Sequence, residues 1–257
     1  MNARSLDGRP VGRGVWSTAP VWVLLLGVQT ATAATIPPGL NPGDIYHRIF
    51  VTSGAYSVTS SDVVPTDSSS FGGVAAADYN VTLAAYQAGL IPDWDGETIF
   101  YRAILSTSTI DARDHVDVQG AVFNMQDELI ATSETDLWDG TLANAVRYDE
   151  VGISLQEDSR AWTGSTSAGT YGGAWTAGDW LVTGTGAWVG KPLATNGSWL
   201  NQNLMGGSEP SHLYGISLPL TVVPEPSSGA LAGLGTAILA VAICRRAIRV
   251  RRPGAIT

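Results

Sequence analysis

An apolar run flanked by arginines lies near each end of this 257-residue chain, and together the two runs confine the folding domain to the residues between them. On the C-terminal side, Val223-Pro224-Glu225-Pro226-Ser227-Ser228 leads into an apolar stretch from Gly229 to Ile243. Arg245, Arg246, Arg249, Arg251 and Arg252 follow at once. A stiff polar kink, a short apolar segment and a basic stop describe a membrane-insertion element whose basic end stays in the cytoplasm. As a helix, Gly229 to Ile243 spans about 22 Å, which is short of the roughly 30 Å of hydrocarbon in a bilayer. Such a segment holds a chain in the membrane but makes a poor permanent anchor. On the N-terminal side, Arg4, Arg9 and Arg13 precede the apolar core Ala19 to Val28, which ends in Thr30-Ala31-Thr32-Ala33-Ala34. That order is the pattern of a secretory signal peptide, with cleavage expected after Ala33.

The Pro224-Glu225-Pro226 triplet, the apolar run and the Arg cluster occur in the order of a PEP-CTERM sorting signal, and residues 223–252 resemble one. The resemblance implies an exported bacterial protein processed by an exosortase-type membrane enzyme, with Pro224, Glu225, Pro226, Arg245 and Arg246 as the signal residues. It also implies use of the export machinery, transit through the inner membrane, and arrival at the cell surface or outside the cell. A single-span tail anchor is the alternative reading. The resulting layout is a signal peptide at 1–33, an extended Pro/Gly lead-in at 34–44, an ectodomain at 45–218, a Pro-rich linker at 219–228, and a transmembrane segment with Arg-rich tail at 229–257.

Six basic residues (Arg48, Arg102, Arg113, Arg147, Arg160 and Lys191) lie between Ala34 and Val223, against all acidic residues except Asp7 and Glu225, so this stretch carries a net charge of −15. That surface repels nucleic acid and anionic lipid. The single cysteine, Cys244, lies in the apolar tail, so the ectodomain has neither a disulfide nor a thiol nucleophile.

Ile45 to Ser53 is β-branched and apolar enough for a first strand, followed by a polar loop over Ser57–Ser70. Val74, Ala77, Val81, Ala84, Ala85 and Ala88 recur at helical steps, which predicts a helix over Gly73–Ala88 ended by Gly89. Thr98 to Leu105 alternates like a strand, with Ile99, Tyr101, Ala103 and Leu105 on one face. Shorter strands are expected at Gly120–Phe123, Leu129–Ser133 and Ala143–Tyr148, long ordered loops over Thr163–Gly207, and a closing strand over His212–Leu218. The fold class is therefore α+β.

Ordered phrases run through this region: Phe50-Val51-Thr52-Ser53, Gly72 to Asp78, Ala88-Gly89-Leu90, Leu105 to Ser108, Ala112-Arg113-Asp114 and Asp136 to Gly140. Asp149 to Gly152, Trp162 to Thr166, Gly178-Asp179-Trp180 and His212 to Ile216 complete the series. In order, they resemble an uncharacterised bacterial extracellular domain family with a C-type-lectin-like, endostatin-like fold, across Ile49 to Leu218. That family usually carries cysteines where this chain has Val81, Ala177 and Gly215. The resemblance therefore implies that packing replaces a disulfide, chiefly through Trp94, Trp138, Trp162, Trp175, Trp180, Trp188 and Trp199. A sugar-stacking platform of Trp175, Trp188 and Trp199 is the functional alternative for some of them.

Enzyme signatures are sparse. Asp114, His115 and Asp117 offer metal-ligand or acid–base types, but the cluster Asp111–Asp117 reads better as a solvated loop. The chain contains no Gly-x-Ser-x-Gly elbow, His-Glu-x-x-His pair or phosphate-binding Gly loop. Glu209-Pro210-Ser211 and Asp93-Trp94-Asp95-Gly96 are fragments of calcium-ligand patterns, too few for the six to eight oxygens calcium takes. No cofactor is expected, with calcium the one candidate considered. The reading is a non-catalytic surface or matrix protein with an extracellular polysaccharide as possible partner. The alternative is a glycan-active enzyme using Asp114 and Glu150.

Overall fold

The computed structural model describes residues 36–58, 70–173 and 186–223. The signal segment, Trp175, Trp180, Ala177 and everything from Pro224 onward, including the expected transmembrane segment, lie outside the described residues. Among the described residues no helix is long and apolar enough to cross a membrane.

Among the described residues, a mixed sheet and three α-helices give an α+β arrangement. Two central strands, β1 (Ile45–Val51) and β10 (His212–Ser217), pair antiparallel with Ile49 opposite Ile216 and Val51 opposite Tyr214. On the far edge of β1 lies β5 (Ala121–Phe123), parallel to it, and then β6 (Leu129–Ala131). The far edge of β10 is shared end to end by β4 (Tyr101–Ala103) and β7 (Ala161–Trp162). From β7 the sheet continues through β8 (Gly186–Gly190) and β9 (Asn203–Gly206). A separate pair, β2 (Ser57–Val58) and β3 (Ser70–Phe71), brackets the polar segment after β1.

Because side chains alternate along a strand, the central pair feeds two cores. Phe50 and Leu213 point into one cluster with Tyr101, Leu105, Trp162 and the α1 residues Val74, Ala77 and Val81. Ile49, Val51, Tyr214 and Ile216 point into the other, with Ile104, Val116, Leu137, Trp138 and Trp199.

Helix α1 (Gly73–Gln87) forms where the apolar spacing predicts it. It ends as expected: Gly89 takes φ +77°, and the amides of Gly89 and Leu90 return to the carbonyls of Tyr86 and Ala85. Its buried face is wider than the apolar stripe and includes Asp78, Asn80 and Thr82. Two of these side chains bond the edge of β4 that β10 leaves open. Thr82 Oγ1 donates to the Tyr101 carbonyl at 3.0 Å and accepts the Tyr101 amide at 3.1 Å. Asp78 Oδ1 accepts the Ala103 amide at 2.7 Å. An unpaired strand edge is thereby satisfied by helix side chains instead of another strand.

Several expectations need correction. The strand over Thr98–Leu105 shrinks to three residues, because the Leu105 amide turns back to the Ala103 carbonyl. Tyr101, Ala103 and Leu105 still share one cluster, while Ile99 is only half-buried. Ala143–Tyr148 forms no strand: its amides go to scattered acceptors, Ala143 to Ile130, Arg147 to Pro192 and Tyr148 to Val146. The expected loops of Thr163–Gly207 contain β8 and β9. The cluster Asp111–Asp117 is not a loop but a short helix, α2 (Ala112–Val116), with Ala112 and Val116 in the core. A third short helix, α3 (Glu134–Leu137), starts on the Ser133 cap.

Tryptophan burial is extensive where the chain can be seen. Trp162 and Trp199 are fully buried and Trp138 nearly so. Trp162 Nε1 donates to the Tyr56 carbonyl at 2.8 Å. Trp199 stacks on Trp138 at 6.0 Å and meets Tyr214 edge-on at 5.6 Å. Trp94 and Trp188 are half-buried.

Candidate functional site

The chain leaves the sheet through β11 (Leu220–Thr221), which pairs antiparallel with the start of β1, Ile45 opposite Thr221 and Tyr46 opposite Leu220. The ladder extends beyond the strands, since the Gly43 amide donates to the Val222 carbonyl at 2.9 Å and the Val222 amide to the Asp44 carbonyl at 3.0 Å. Val222 is 3% exposed and Val223 is 73% exposed. The described residues therefore run from a buried, paired Val222 to an exposed Val223. The lead-in and the exit strand are held side by side. Leu220-Thr221-Val222, a β-branched apolar run after Pro219, carried the signal for this strand, which the sequence reading placed in the linker.

Residues 222–246 match the PEP-CTERM protein-sorting motif. The match begins on Val222, the last buried residue among those described, and covers Pro224, Glu225, Pro226, Arg245 and Arg246, all five of which lie outside the described residues. The motif implies export to the cell envelope or surface, and PEP-CTERM signals are processed by exosortase-type enzymes. No curated protein matches the chain.

Within the domain, the polar residues singled out in the sequence fall in four separate places. On α2, Asp114 is 71% exposed and lies 3.6 Å from Arg113, while Asp117 ends the helix in a left-handed conformation, φ 48°. His115 points inward, and its Nε2 donates to Asp78 Oδ1 at 3.0 Å. The Arg102 guanidinium bonds the His115 carbonyl. Asp78 thus holds a strand amide and an imidazole with a single oxygen, an arrangement that ties α1, β4 and α2 together. Among the described residues no three His, Cys, Asp or Glu side chains are grouped to hold a metal ion.

Glu150, the second carboxylate of the enzyme reading, is buried and receives both the amide and the hydroxyl of Ser53. The neighbouring Asp149 accepts the amides of Val151 and Ile153 and shapes the turn. Thr52, beside Ser53, is equally occupied: its hydroxyl donates to Gly54 and accepts the Leu213 amide, and its carbonyl bonds His212 Nδ1. Burial, together with the Glu150 charge, pushes the Tyr56 hydroxyl up to about 12. One carboxylate of the Asp114/Glu150 pair therefore faces solvent and the other lies under Ser53.

The calcium fragments also have local work. Asp95 accepts the amides of Thr98 and Glu97 and the Thr98 hydroxyl, which hold its carboxyl down at about 2. Trp94 caps the same loop by donating to the Thr98 carbonyl at 2.7 Å. Glu209 is exposed beside an open groove of about 360 Å³ that also contains Asp158, Arg160 and His212. Another groove, about 430 Å³ and mainly apolar, lies between α1 and the Gly96–Ile99 loop, with Asp78 and Tyr79 on its wall. Of the stacking platform, Trp199 is fully buried and presents no face to a sugar, because Trp138 and Tyr214 cover it. Trp188 donates to the Gly172 carbonyl at 3.0 Å.

Proposed function

We propose that residues 36–223 form a non-catalytic binding or structural domain that the sorting motif delivers to the cell surface or the extracellular matrix, and that its fold is C-type-lectin-like and endostatin-like. The observation that carries this reading is the overlap at Val222: this residue is buried and paired in the exit ladder, and the sorting motif starts on it. Support for a non-catalytic role comes from the occupation of Glu150, Asp78 and Thr52 by backbone and side-chain donors. In favour of the lectin-like fold, the ordered phrases fall at structural joints: Phe50–Ser53 on and after β1, Gly72–Asp78 at the start of α1, and His212–Ile216 on β10. The exosortase-type enzyme would act at the Pro224–Pro226 triplet, and the Arg cluster would stay on the cytoplasmic side.

Intact mass spectrometry of the protein from its native host tests this. The expected product begins near Ala34 and ends near Pro226. Recovery of a form ending at Thr257 in the inner membrane leaves the tail-anchor reading in its place.

A further inference from the structure

We infer that the groove between Arg147 and Lys191 is a binding site for carboxylated saccharides, a deepening that rests on the surface-binding reading above. The domain has only six cationic side chains for its net charge of −15. Arg48 is paired with Asp127, Arg113 lies against Asp114, and Arg102 is held by the His115 carbonyl. Arg160 lines the groove beside Glu209. The remaining two, Arg147 and Lys191, line one open groove of about 460 Å³ together with Glu157, Asn196, Ser198 and Gln202. Among the described residues neither cation has a carboxylate within 4.0 Å.

Their placement is built into the backbone. The Arg147 amide donates to the Pro192 carbonyl at 3.1 Å, and the Lys191 amide to the Ser198 carbonyl at 2.9 Å, so the two cation-bearing segments are tied to each other. Arg147 has φ 35°, the left-handed region that side-chain-bearing residues rarely occupy. Such strain persists where surrounding structure enforces it, and it collects at ligand-binding positions. The guanidinium rests 5.4 Å from the Tyr148 ring centroid, with one Nη 3.4 Å from Ser154 Oγ, which orients the fork without neutralising it.

Two cations against one carboxylate make this groove locally positive in a strongly acidic domain, and that favours an anionic ligand. The fork of Arg147 matches a carboxylate. The amides of Asn196 and Gln202, the Ser198 hydroxyl and the Glu157 carboxylate match the alternating donors and acceptors of sugar hydroxyls. A uronate-containing polysaccharide presents both features in one repeating unit.

Calorimetric titration of the full chain, purified in detergent, tests the site with a hexameric oligogalacturonate, cellohexaose as the neutral control, and inorganic sulfate as a plain anion. The expected result is binding of the oligouronate alone, weakening with added salt. Lys191→Gln should reduce affinity at least tenfold with an unchanged melting temperature. Arg147→Gly should do the same with an unchanged melting temperature, since glycine accepts the left-handed backbone without strain. Equal binding of cellohexaose, equal binding of sulfate, wild-type affinity in both variants, or no binding at millimolar oligouronate each overturns the inference. Those outcomes leave the sorting reading intact, whereas recovery from the native host of a form ending at Thr257 overturns the sorting reading alone.

Discussion

His47, buried within β1, has both ring nitrogens assigned by their partners. The Gln119 amide donates to Nε2 at 3.0 Å, so Nε2 is the acceptor and Nδ1 carries the proton given to the Ser217 carbonyl at 2.8 Å. A second proton would have to take the Nε2 lone pair from the Gln119 amide and place a charge in a fully buried site. Burial lowers the pKa below the ordinary 6.5, and the Ser217 bond and the Asp117 charge oppose that only in part. The unfolded chain therefore binds the proton first as pH falls. Stability from this residue is fully present above about 6.5 and declines as pH drops toward the lowered folded value. Denaturant titrations between pH 7 and 5 should show this loss, and His47→Asn should flatten it. Gly215 makes a second residue-scale case. A Cβ built there would lie 2.8 Å from Phe50 Cζ, so a cysteine does not fit at this position under the ring. Gly215→Cys should cost about 1–3 kcal/mol in chemical denaturation, and the added change Phe50→Leu should recover part of it.

Element by element, legibility in the sequence tracked the kind of force that makes each piece. Helix α1 and strands β1 and β10 were readable because apolar spacing and a Gly stop act locally. Strands β8 and β9 were not, since Gly186-Ala187-Trp188-Val189-Gly190 has the composition of a loop and becomes a strand only by pairing with β7 and β9. Ala143–Tyr148 failed in the opposite way: its residues suit a strand, but they meet only an isolated bridge, Tyr148 with Ser154, and scattered single bonds. The inward turn of His115 was equally hidden, because its partner Asp78 lies 37 residues away. The β8 ladder depends on close approach, and a Cβ at Gly190 would collide with the Trp199 carbonyl. Gly190→Ala should accordingly break the contact between β8 and the 3-10 turn Gly197–Trp199 and lower the melting temperature by several degrees or more. Gly186→Ala, on the same strand with its nearest neighbour at an ordinary 3.5 Å, is the control for a glycine-to-alanine change without a collision.

For the molecule as a whole, cohesion rests on two cores sharing one sheet, with no covalent crosslink in the domain. The melting temperature should be the same with and without dithiothreitol, since Cys244 lies beyond the sheet in the tail; a fall of several degrees would count against a packing-only domain. The exit strand has a mechanical consequence. While the tail remains in a membrane, any drag on the domain is borne first by β11, whose ladder is only a few residues long and opens one rung at a time. Peeling Leu220–Val222 from β1 releases slack of roughly 10 Å at 3.3–3.6 Å per residue, and the pairing of Ile49–Val51 with β10 stays closed. Force spectroscopy with the pull applied at Val223 should record a small, reversible, low-force step before the cooperative rupture of the sheet. Strand β11 would then serve as a mechanical fuse, yielding first and re-forming when the load is gone.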